Sequence, residues 1–237
     1  MLVTVIGRGH SGTRAMSHTL SESGFYMGAE LNASGDLVPA EDLYEACRVM
    51  ARHVRHLGGL KWDFSKLHTM QIDPEFKRLV GSYLESVLSS PSVQKGWKLP
   101  ETTLIYPWIV RMFPDVRYIF WVRDPRDSIL GGHLTDDLSD FSVQYEKTED
   151  VYLRRAISWK YQSEIYKATP RPENLLEVRF EDFIHDQEKT LGRIGEYLGF
   201  PLAKIPVRTD SIGRWKIAER KFDYPFLAEE LAAFRYV

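Results

Sequence analysis

The first twenty residues contain a strand, a glycine-rich turn and the start of a helix, and this arrangement constrains the fold more than any other stretch. Residues 2–6 form an apolar run, residues 7–14 read GRGHSGTR, and a helical pattern begins at Ala15. Glycine lets the backbone curl without Cβ clashes, so that successive N–H groups and the positive helix end converge on an anion. The stretch therefore predicts a loop that holds a phosphate group.

The spacing of Gly7 and Gly12 equals that of the P-loop, but the two residues that make a P-loop an ATP site are absent. Thr13 stands where lysine would reach the β- and γ-phosphates, and Arg14 stands where a hydroxyl would hold magnesium. Such a loop can hold phosphate without a metal. Glycine turns also follow first strands in α/β folds that bind nothing there, so the loop alone leaves both interpretations open.

The length, composition and net charge of the chain limit the classes of protein to which it can belong. A chain of 237 residues with 43% hydrophobic residues suits one α/β domain over residues 1–237. A net charge of −2 argues against nucleic-acid binding by bulk electrostatics, and a single cysteine, Cys47, excludes an internal disulfide. Because the first strand starts at Leu2 and no apolar run is long enough for a membrane span, we expect a cytoplasmic protein.

Apolar periodicity predicts alternating strands and helices along the whole chain. Further strands are predicted at residues 25–27, 94–98, 117–122 and 175–179. Helices are predicted at residues 39–56, 74–87, 104–112 and 149–168, and two more are predicted to begin near Pro125 and to end at Gly199. Pro107 is expected to kink or delay its helix. The alternation predicts a three-layer α/β sandwich with a central, mostly parallel sheet.

Two segments depart from this alternation. Residues 33–73 are interpreted either as a helical cap over the ligand crevice, which would help to select a second substrate, or as an ordinary helical layer. Aromatic residues near this cap, Tyr26, Trp62 and Phe64, suit an acceptor pocket or the core equally. The polar and acidic residues 134–148 predict a mobile loop.

Four stretches, in this order, resemble the sulfotransferase family that uses 3′-phosphoadenosine 5′-phosphosulfate (PAPS). Residues 7–14 resemble the loop for the 5′-phosphosulfate, and residues 113–127, ending in VRDPRD, resemble the strand and turn that bind the 3′-phosphate. Residues 178–183 with 198–201 are similar to the family's R-Y-E-D-L and L-G-L-P segments, and residues 211–216 to its late glycine-basic loop. Each motif is weak alone, but the ordered set is specific.

The resemblance implies transfer of a sulfuryl group from PAPS to a hydroxyl, or less favourably an amine, of a small-molecule or carbohydrate acceptor, without a metal. Adenosine 3′,5′-bisphosphate would be the product. Contacts to the donor are implied for Gly9, His10, Ser11, Gly12, Thr13, Arg14, Arg123, Ser128, Gly213, Arg214, Trp215 and Lys216. Residues 179–182 are interpreted as a structural ion-pair network beside the sheet.

Candidate catalytic residues follow the predicted strands, because the carboxyl ends of parallel strands face the ligand crevice. Lys98 belongs to a Lys-x-Pro segment similar to one whose lysine contacts the phosphosulfate in some family members. For the base that accepts the acceptor's proton, Glu30 ranks first, because some carbohydrate sulfotransferases carry glutamate after the second strand. His133 and Glu101 follow, although a solvated carboxylate or a helix-end histidine explains these residues as well.

Two positions depart from the family pattern. His10 stands where the family usually has lysine or arginine, and imidazole replaces that charge only if it is protonated or donates a hydrogen bond. Gly131 stands where the family usually has a serine for the 3′-phosphate, and Ser128, one turn earlier, is a substitute. Arg123 and the tail could also hold this phosphate without a serine.

Two other functions stay open at this stage. A P-loop kinase is disfavoured because the P-loop lysine and magnesium-binding hydroxyl are missing. A catalytically silent protein that binds a nucleotide or a partner is supported by His10 and Gly131. The helix at 149–168 or the stretch 226–237 offers a homodimer contact, although packing within one chain is the favoured explanation of either.

Overall fold

The computed structural model describes residues 1–219 and 222–236, so the last residue of the 226–237 stretch lies outside the described part. Its strands are β1 (Leu2–Ile6), β2 (Arg55–His56), β3 (Trp62–Asp63), β4 (Lys95–Lys98), β5 (Arg117–Val122) and β6 (Leu175–Arg179). The main sheet has the order β4-β1-β5-β6, and each neighbouring pair is parallel. The predicted α/β fold with a parallel central sheet is confirmed.

Helices cover both faces of this sheet. They are α1 (Thr13–Glu22), α2 (Glu41–Ala51), α3 (Ser65–Thr69), α4 (Pro74–Tyr83), α5 (Glu85–Leu88), α6 (Tyr106–Met112), α7 (Pro125–Ser128), α8 (Val151–Ala168), α9 (Phe180–His185), α10 (Gln187–Leu198) and α11 (Ala228–Ala233). In the described ranges, no helix is long and apolar enough to cross a membrane.

The side chains of β5 show why the protein has three layers. Tyr118 and Phe120 belong to one hydrophobic core, which also contains side chains of α2, α4, α6 and α8. Ile119 and Trp121 belong to a second core with side chains of α1, α9 and α10. Successive residues of a strand point to opposite faces, so the sheet lies between two helical layers.

The predicted strand at residues 25–27 is reduced to one parallel bridge between Tyr26 and Lys95. Gly28, with φ of 119°, then turns the chain away, and the amide of Leu37 donates to the carbonyl of Lys98 at 3.0 Å. A later segment therefore takes the outer edge of β4 that a longer strand would have used.

The segment of residues 33–73 differs from prediction in its second half. The helix predicted at 39–56 ends at Ala51, and Gly58 and Gly59, with φ of 92° and 56°, turn the β2–β3 hairpin instead of stopping a helix. Trp62 and Phe64 are buried in the core, which decides between the two interpretations of these residues.

Local signals elsewhere placed the helices well. Asp73 caps α4, because its carboxylate accepts from the amide of Glu75 at 2.8 Å and Pro74 is the first helical residue. Pro107 is the second residue of α6, after a 3-10 segment over Pro100–Ile105, so it delays the helix. α10 ends at Gly199 in the left-handed conformation, as predicted.

The polar segment 134–148 contains two 3-10 turns, Leu134–Asp136 and Leu138–Phe141, where the sequence predicts a loop. Leu138 and Phe141 are buried. The side chain of Asp137 accepts from the amide of Ser139 at 3.0 Å and caps the second turn. Short-range capping therefore orders a segment whose composition is typical of a loop.

The middle of α8 is buried from Ala156 to Ser163, so much of this helix packs within the chain. A dimer contact through residues 149–168 or 226–237 stays a prediction.

Candidate active site

The loop between β1 and α1 has the geometry of an anion site. Gly12 and His10 both have positive φ, 84° and 62°. A β-carbon at Gly7 would lie 2.4 Å from the carbonyl oxygen of Trp121, so only glycine fits there. Within the described chain, no side chain caps α1 and no acidic residue occupies its first turn. The first amides of α1 are therefore available to an anion.

Arg123 follows β5 and joins this loop to the tail. Its Nη1 donates to the carbonyl of His10 at 2.9 Å, and its Nη2 donates to the carbonyl of Ser211. The side chain is 7% exposed, and its Nε has no hydrogen-bond partner among the described residues. Burial lowers the pKa of the guanidinium, while Asp127, 3.7 Å away, opposes that change. Arg123 is thus a buried cation with a free donor.

Ser128 adds a second unsatisfied donor. Its side chain is fully buried, and its Oγ lacks a partner within residues 1–219 and 222–236. Its carbonyl accepts from Nη1 of Arg8 at 3.3 Å. A buried hydroxyl without a partner is unfavourable unless a ligand or a water completes it.

A buried ion-pair network that sequence reasoning missed lies behind the loop. Arg8 is 3% exposed and pairs with Asp136, whose other oxygen accepts from Nε of Arg155 at 3.0 Å. Nη1 of Arg8 also donates to the carbonyl of Gly9 at 3.0 Å. Burial lowers the pKa of Arg8 to about 10. These contacts help to fix the backbone of the loop between β1 and α1.

Asp127 anchors the predicted tail loop. Its two carboxylate oxygens accept from the amides of Gly213 at 2.7 Å and Trp215 at 2.9 Å. The indole ring of Trp215 stacks on the guanidinium of Arg126, 3.9 Å from the ring centroid. Arg214 and Lys216 are exposed at the surface. Residues 211–216 are therefore tied to α7 beside Arg123.

Many of the site residues that the sequence predicts line one cavity of about 280 Å³. It is lined by Gly9, His10, Gly12, Thr13, Arg14, Ser34, Asp36, Lys98, Pro100, Arg123 and His133. Among the described residues, Ser11, Ser128 and Gly213 to Lys216 lie outside its lining, and so does Glu30, whose side chain is exposed. The structure brings the loop, Lys98, Arg123 and His133 together.

Lys98 is held by the segment 33–73. Its side chain is 1% exposed, its Nζ donates to the carbonyl of Ser34 at 2.8 Å, and it forms an ion pair with Asp36. Burial lowers the pKa of the ammonium group, and Asp36 opposes that change. Residues of this segment thus reach the crevice and contact a predicted catalytic side chain.

His133 packs directly against the phosphate loop. A β-carbon at Gly9 would lie 2.0 Å from its ring. Burial lowers the pKa of the imidazole to about 3, so the ring is neutral at ordinary pH. Its Nε2 lies 3.8 Å from Oε1 of Glu101, whose pKa burial raises to about 7.

His10 turns its imidazole toward the segment after α7. Its Nε2 donates to the carbonyl of Gly132 at 2.6 Å, and the rings of His10 and His133 meet edge to face at 5.9 Å.

Beside the sheet, Arg179 pairs with Asp182 at 3.4 Å, as the predicted structural network requires.

A parallel sheet with a glycine loop leading into α1, and a buried arginine after the neighbouring strand, defines a class of α/β protein with a candidate anion site at the carboxyl ends of its strands. Within that class, the chain belongs to the sulfotransferase family, whose model matches residues 3–204. No curated protein sequence matches the chain significantly.

Solved structures agree with this assignment at the level of the fold. The sulfotransferase domain of the Synechococcus PCC 7002 olefin synthase has a TM-score of 0.58 and 13% identity, covering 100% of this chain and 95% of that one. The sulfotransferase domain of the curacin biosynthetic pathway has a TM-score of 0.52 and 15% identity, covering 85% and 74%. Sulfotransferase STF9 from Mycobacterium avium has a TM-score of 0.50 and 14% identity, covering 98% and 76%.

Proposed function

We propose that this protein is a cytoplasmic enzyme that transfers a sulfuryl group from PAPS to a hydroxyl group, less favourably an amine, of a small-molecule or carbohydrate acceptor. The observation that carries the proposal is the meeting of the uncapped start of α1 with the buried cation of Arg123 at one cavity. Two phosphate-bearing ends of one nucleotide need two such anion sites.

The unsatisfied donors fit the two ends of PAPS. Amides of residues 9–14 and the hydroxyl of Thr13 would hold the 5′-phosphosulfate. Arg123 through its free Nε, and Ser128 through its free Oγ, would hold the 3′-phosphate. The tail loop 213–216 would close beside it, because Asp127 ties that loop to the same helix.

PAPS, when bound, supplies the sulfuryl group and a phosphate leaving group. The residues of this chain then have three tasks: to hold the growing negative charge, to orient the acceptor and to accept its proton. Lys98 and the loop amides suit the first task, since both line the cavity. No metal is needed in this scheme. For the proton, the bases that the sequence predicts are Glu30, followed by His133 and Glu101.

The segment 33–73 supports the cap interpretation through Ser34 and Asp36. Both residues line the cavity beside Lys98. We propose that the acceptor enters along this segment.

A catalytically silent nucleotide-binding protein is the second candidate. The hydrogen bond from His10 to the carbonyl of Gly132 favours it, because that N–H is then not free to stabilise a leaving phosphate. Such a protein would bind the nucleotide and transfer nothing to any acceptor.

Calorimetric titration with adenosine 3′,5′-bisphosphate tests the donor site, with adenosine 5′-monophosphate and magnesium-ATP as comparison ligands. We expect tight binding that requires the 3′-phosphate and weakens about 10- to 100-fold in Arg123→Ala. Arg78→Ala is the control, because Arg78 is 62% exposed and pairs with Glu75 on α4. A preference for magnesium-ATP would support the kinase, and no binding would overturn the donor site.

A further inference from the structure

Glu101 carries a buried carboxyl group that is only partly hydrogen-bonded. It is the second residue of the 3-10 segment after β4, three residues beyond Lys98, and it is 2% exposed. Its Oε2 is buried and has no hydrogen-bond partner in the described part of the chain. An unsatisfied buried carboxyl group is unfavourable for folding, so its presence beside a ligand cavity indicates a functional role.

The proton on His133 can be assigned from its surroundings. Its Nδ1 accepts from the amide of Thr135 at 3.2 Å, and the hydroxyl of Thr135 lies 3.1 Å from the same atom. That hydroxyl accepts from Nε2 of Gln162 at 3.3 Å, so its own hydrogen is free to point at Nδ1. The neutral ring therefore carries its proton on Nε2 and is a donor toward the cavity, not a base.

The spacing of Nε2 of His133 and Oε1 of Glu101 would let one hydroxyl oxygen at the cavity wall bond to both atoms. Nε2 of His133 lies 3.8 Å from Oε1 of Glu101, which is too long for a direct hydrogen bond. An oxygen about 2.8 Å from both atoms could accept from Nε2–H and donate to the carboxylate. The wall at this point is formed by Lys98, Pro100 and His133, all of which line the cavity.

The charge environment keeps this carboxyl group close to titration at neutral pH. Its pKa is raised to about 7, mainly by burial; the hydrogen bond to its own backbone amide and the charge of Lys98 oppose the rise, and Asp36 adds to it. The titratable and charged groups that face it are Asp36, Tyr44, Cys47, Tyr83, Lys98 and His133. A base with such a pKa both accepts and releases a proton near pH 7.

We propose that Glu101 is the catalytic base of the sulfuryl transfer and that His133 is a positioning residue for the acceptor oxygen. This inference rests on the proposed function. The acceptor O–H bond breaks and its proton moves to the Glu101 carboxylate, while the acceptor oxygen bonds to sulfur. The bond from sulfur to the phosphate oxygen breaks, and its electron pair stays on the phosphate. Glu101 itself lies outside the cavity lining but follows Pro100 in the chain and lies 3.8 Å from His133, two residues that line it. Glu30, whose side chain is exposed, then has no part in proton transfer.

Proton uptake during nucleotide binding tests the position of this group without an acceptor. Adenosine 3′,5′-bisphosphate is titrated at pH 7.5 in buffers of different ionisation enthalpy. A bound polyanion raises the pKa of a nearby carboxyl group, so the wild-type protein should take up a fraction of a proton. Glu101→Gln should lose that uptake and still bind, whereas Glu229→Gln, at an exposed position, should keep it.

Consumption of PAPS with water as the acceptor tests the chemical role. Glu101→Gln should slow it at least about 100-fold and remove its dependence on a group titrating near pH 7. Glu229→Gln, at an exposed position, should not slow it, and His133→Gln, which keeps an N–H donor, should retain more activity than His133→Leu.

The outcomes separate the two proposals. No binding of the bisphosphate overturns the donor site. Bisphosphate binding without PAPS consumption by the wild-type protein overturns the sulfuryl transfer and favours the silent protein. Equal proton uptake in the wild-type protein and Glu101→Gln, or a larger loss of PAPS consumption in Glu30→Gln than in Glu101→Gln, overturns the role of Glu101.

Discussion

The imidazole of His10 packs against Gly131. A β-carbon at position 131 would lie only 2.5 Å from Nδ1 of this ring. The histidine at position 10 and the glycine at position 131, which both depart from the sulfotransferase pattern, are therefore structurally linked. A serine at position 131 cannot coexist with the observed orientation of His10, which its bond to Gly132 maintains. Ser128, with its free hydroxyl, is the remaining serine of this turn.

Gly131→Ser should weaken binding of adenosine 3′,5′-bisphosphate at least about tenfold, because an inserted side chain displaces His10 and the loop. Calorimetry measures this. Added to His10→Ala, the same change should have little further effect, since the clash is gone. Gly192→Ser is the matched control, because a β-carbon at Gly192 meets nothing within 4 Å. Equal effects of Gly131→Ser in both backgrounds would contradict the coupling.

Asp127→Asn should loosen the tail loop, because the amide side chain cannot accept from both Gly213 and Trp215 as the carboxylate does. Loss of a charge-assisted bond of about 2 kcal/mol should speed hydrogen exchange at these amides about 30-fold. Mass spectrometry of the exchanged peptides measures it. Asp115→Asn, at an exposed position, should change nothing. Unchanged exchange in Asp127→Asn would mean that other contacts hold the loop.

Asp136→Asn should destabilise the protein by about 3–5 kcal/mol, because it leaves the buried guanidinium group of Arg8 and the half-buried one of Arg155 without this anion. Urea unfolding measures the loss, with Asp115→Asn as the exposed control. A loss below about 1 kcal/mol would show that the network adds little to the stability of the folded protein.

Glu101→Gln should be more stable relative to the wild-type protein at pH 8 than at pH 5. The folded pKa of Glu101, about 7, lies above its ordinary value of 4.5. The unfolded chain therefore loses this proton first, and the wild-type free energy of unfolding falls as pH rises from 4.5 to 7. The shift corresponds to about 3 kcal/mol at most.

Urea unfolding at the two pH values measures this difference. Glu229→Gln should show no pH-dependent difference from the wild-type protein, because Glu229 is exposed. A Glu101→Gln protein whose relative stability does not change with pH would contradict the raised pKa.

Features that depend on neighbours in the sequence were predicted well. The apolar run of β5 and the capping by Asp73 before Pro74 are local signals, and the structure places both as expected. The helical part of residues 39–56 was predicted too long, because pairing of His56 with Trp62 in the hairpin outweighs helical periodicity. The residues around position 56 show no sequence pattern that would predict this strand pairing.

Features that depend on distant partners were not predictable. Arg8 and Asp136 are 128 residues apart, and neither residue's neighbours indicate the pairing. The sequence names Glu101 only as a lower-ranked candidate base, and its burial beside His133 and Lys98 depends on the tertiary structure.

The sequence by itself determined the parallel α/β fold, the glycine loop before α1 and the family, because glycine positions, strand runs and motif order are properties of short stretches. The tertiary structure decided which side chains share the cavity, which donors are left free, and that His10 requires Gly131. Burial and proximity set these properties, and both arise only when strands that are far apart in the chain align their carboxyl ends.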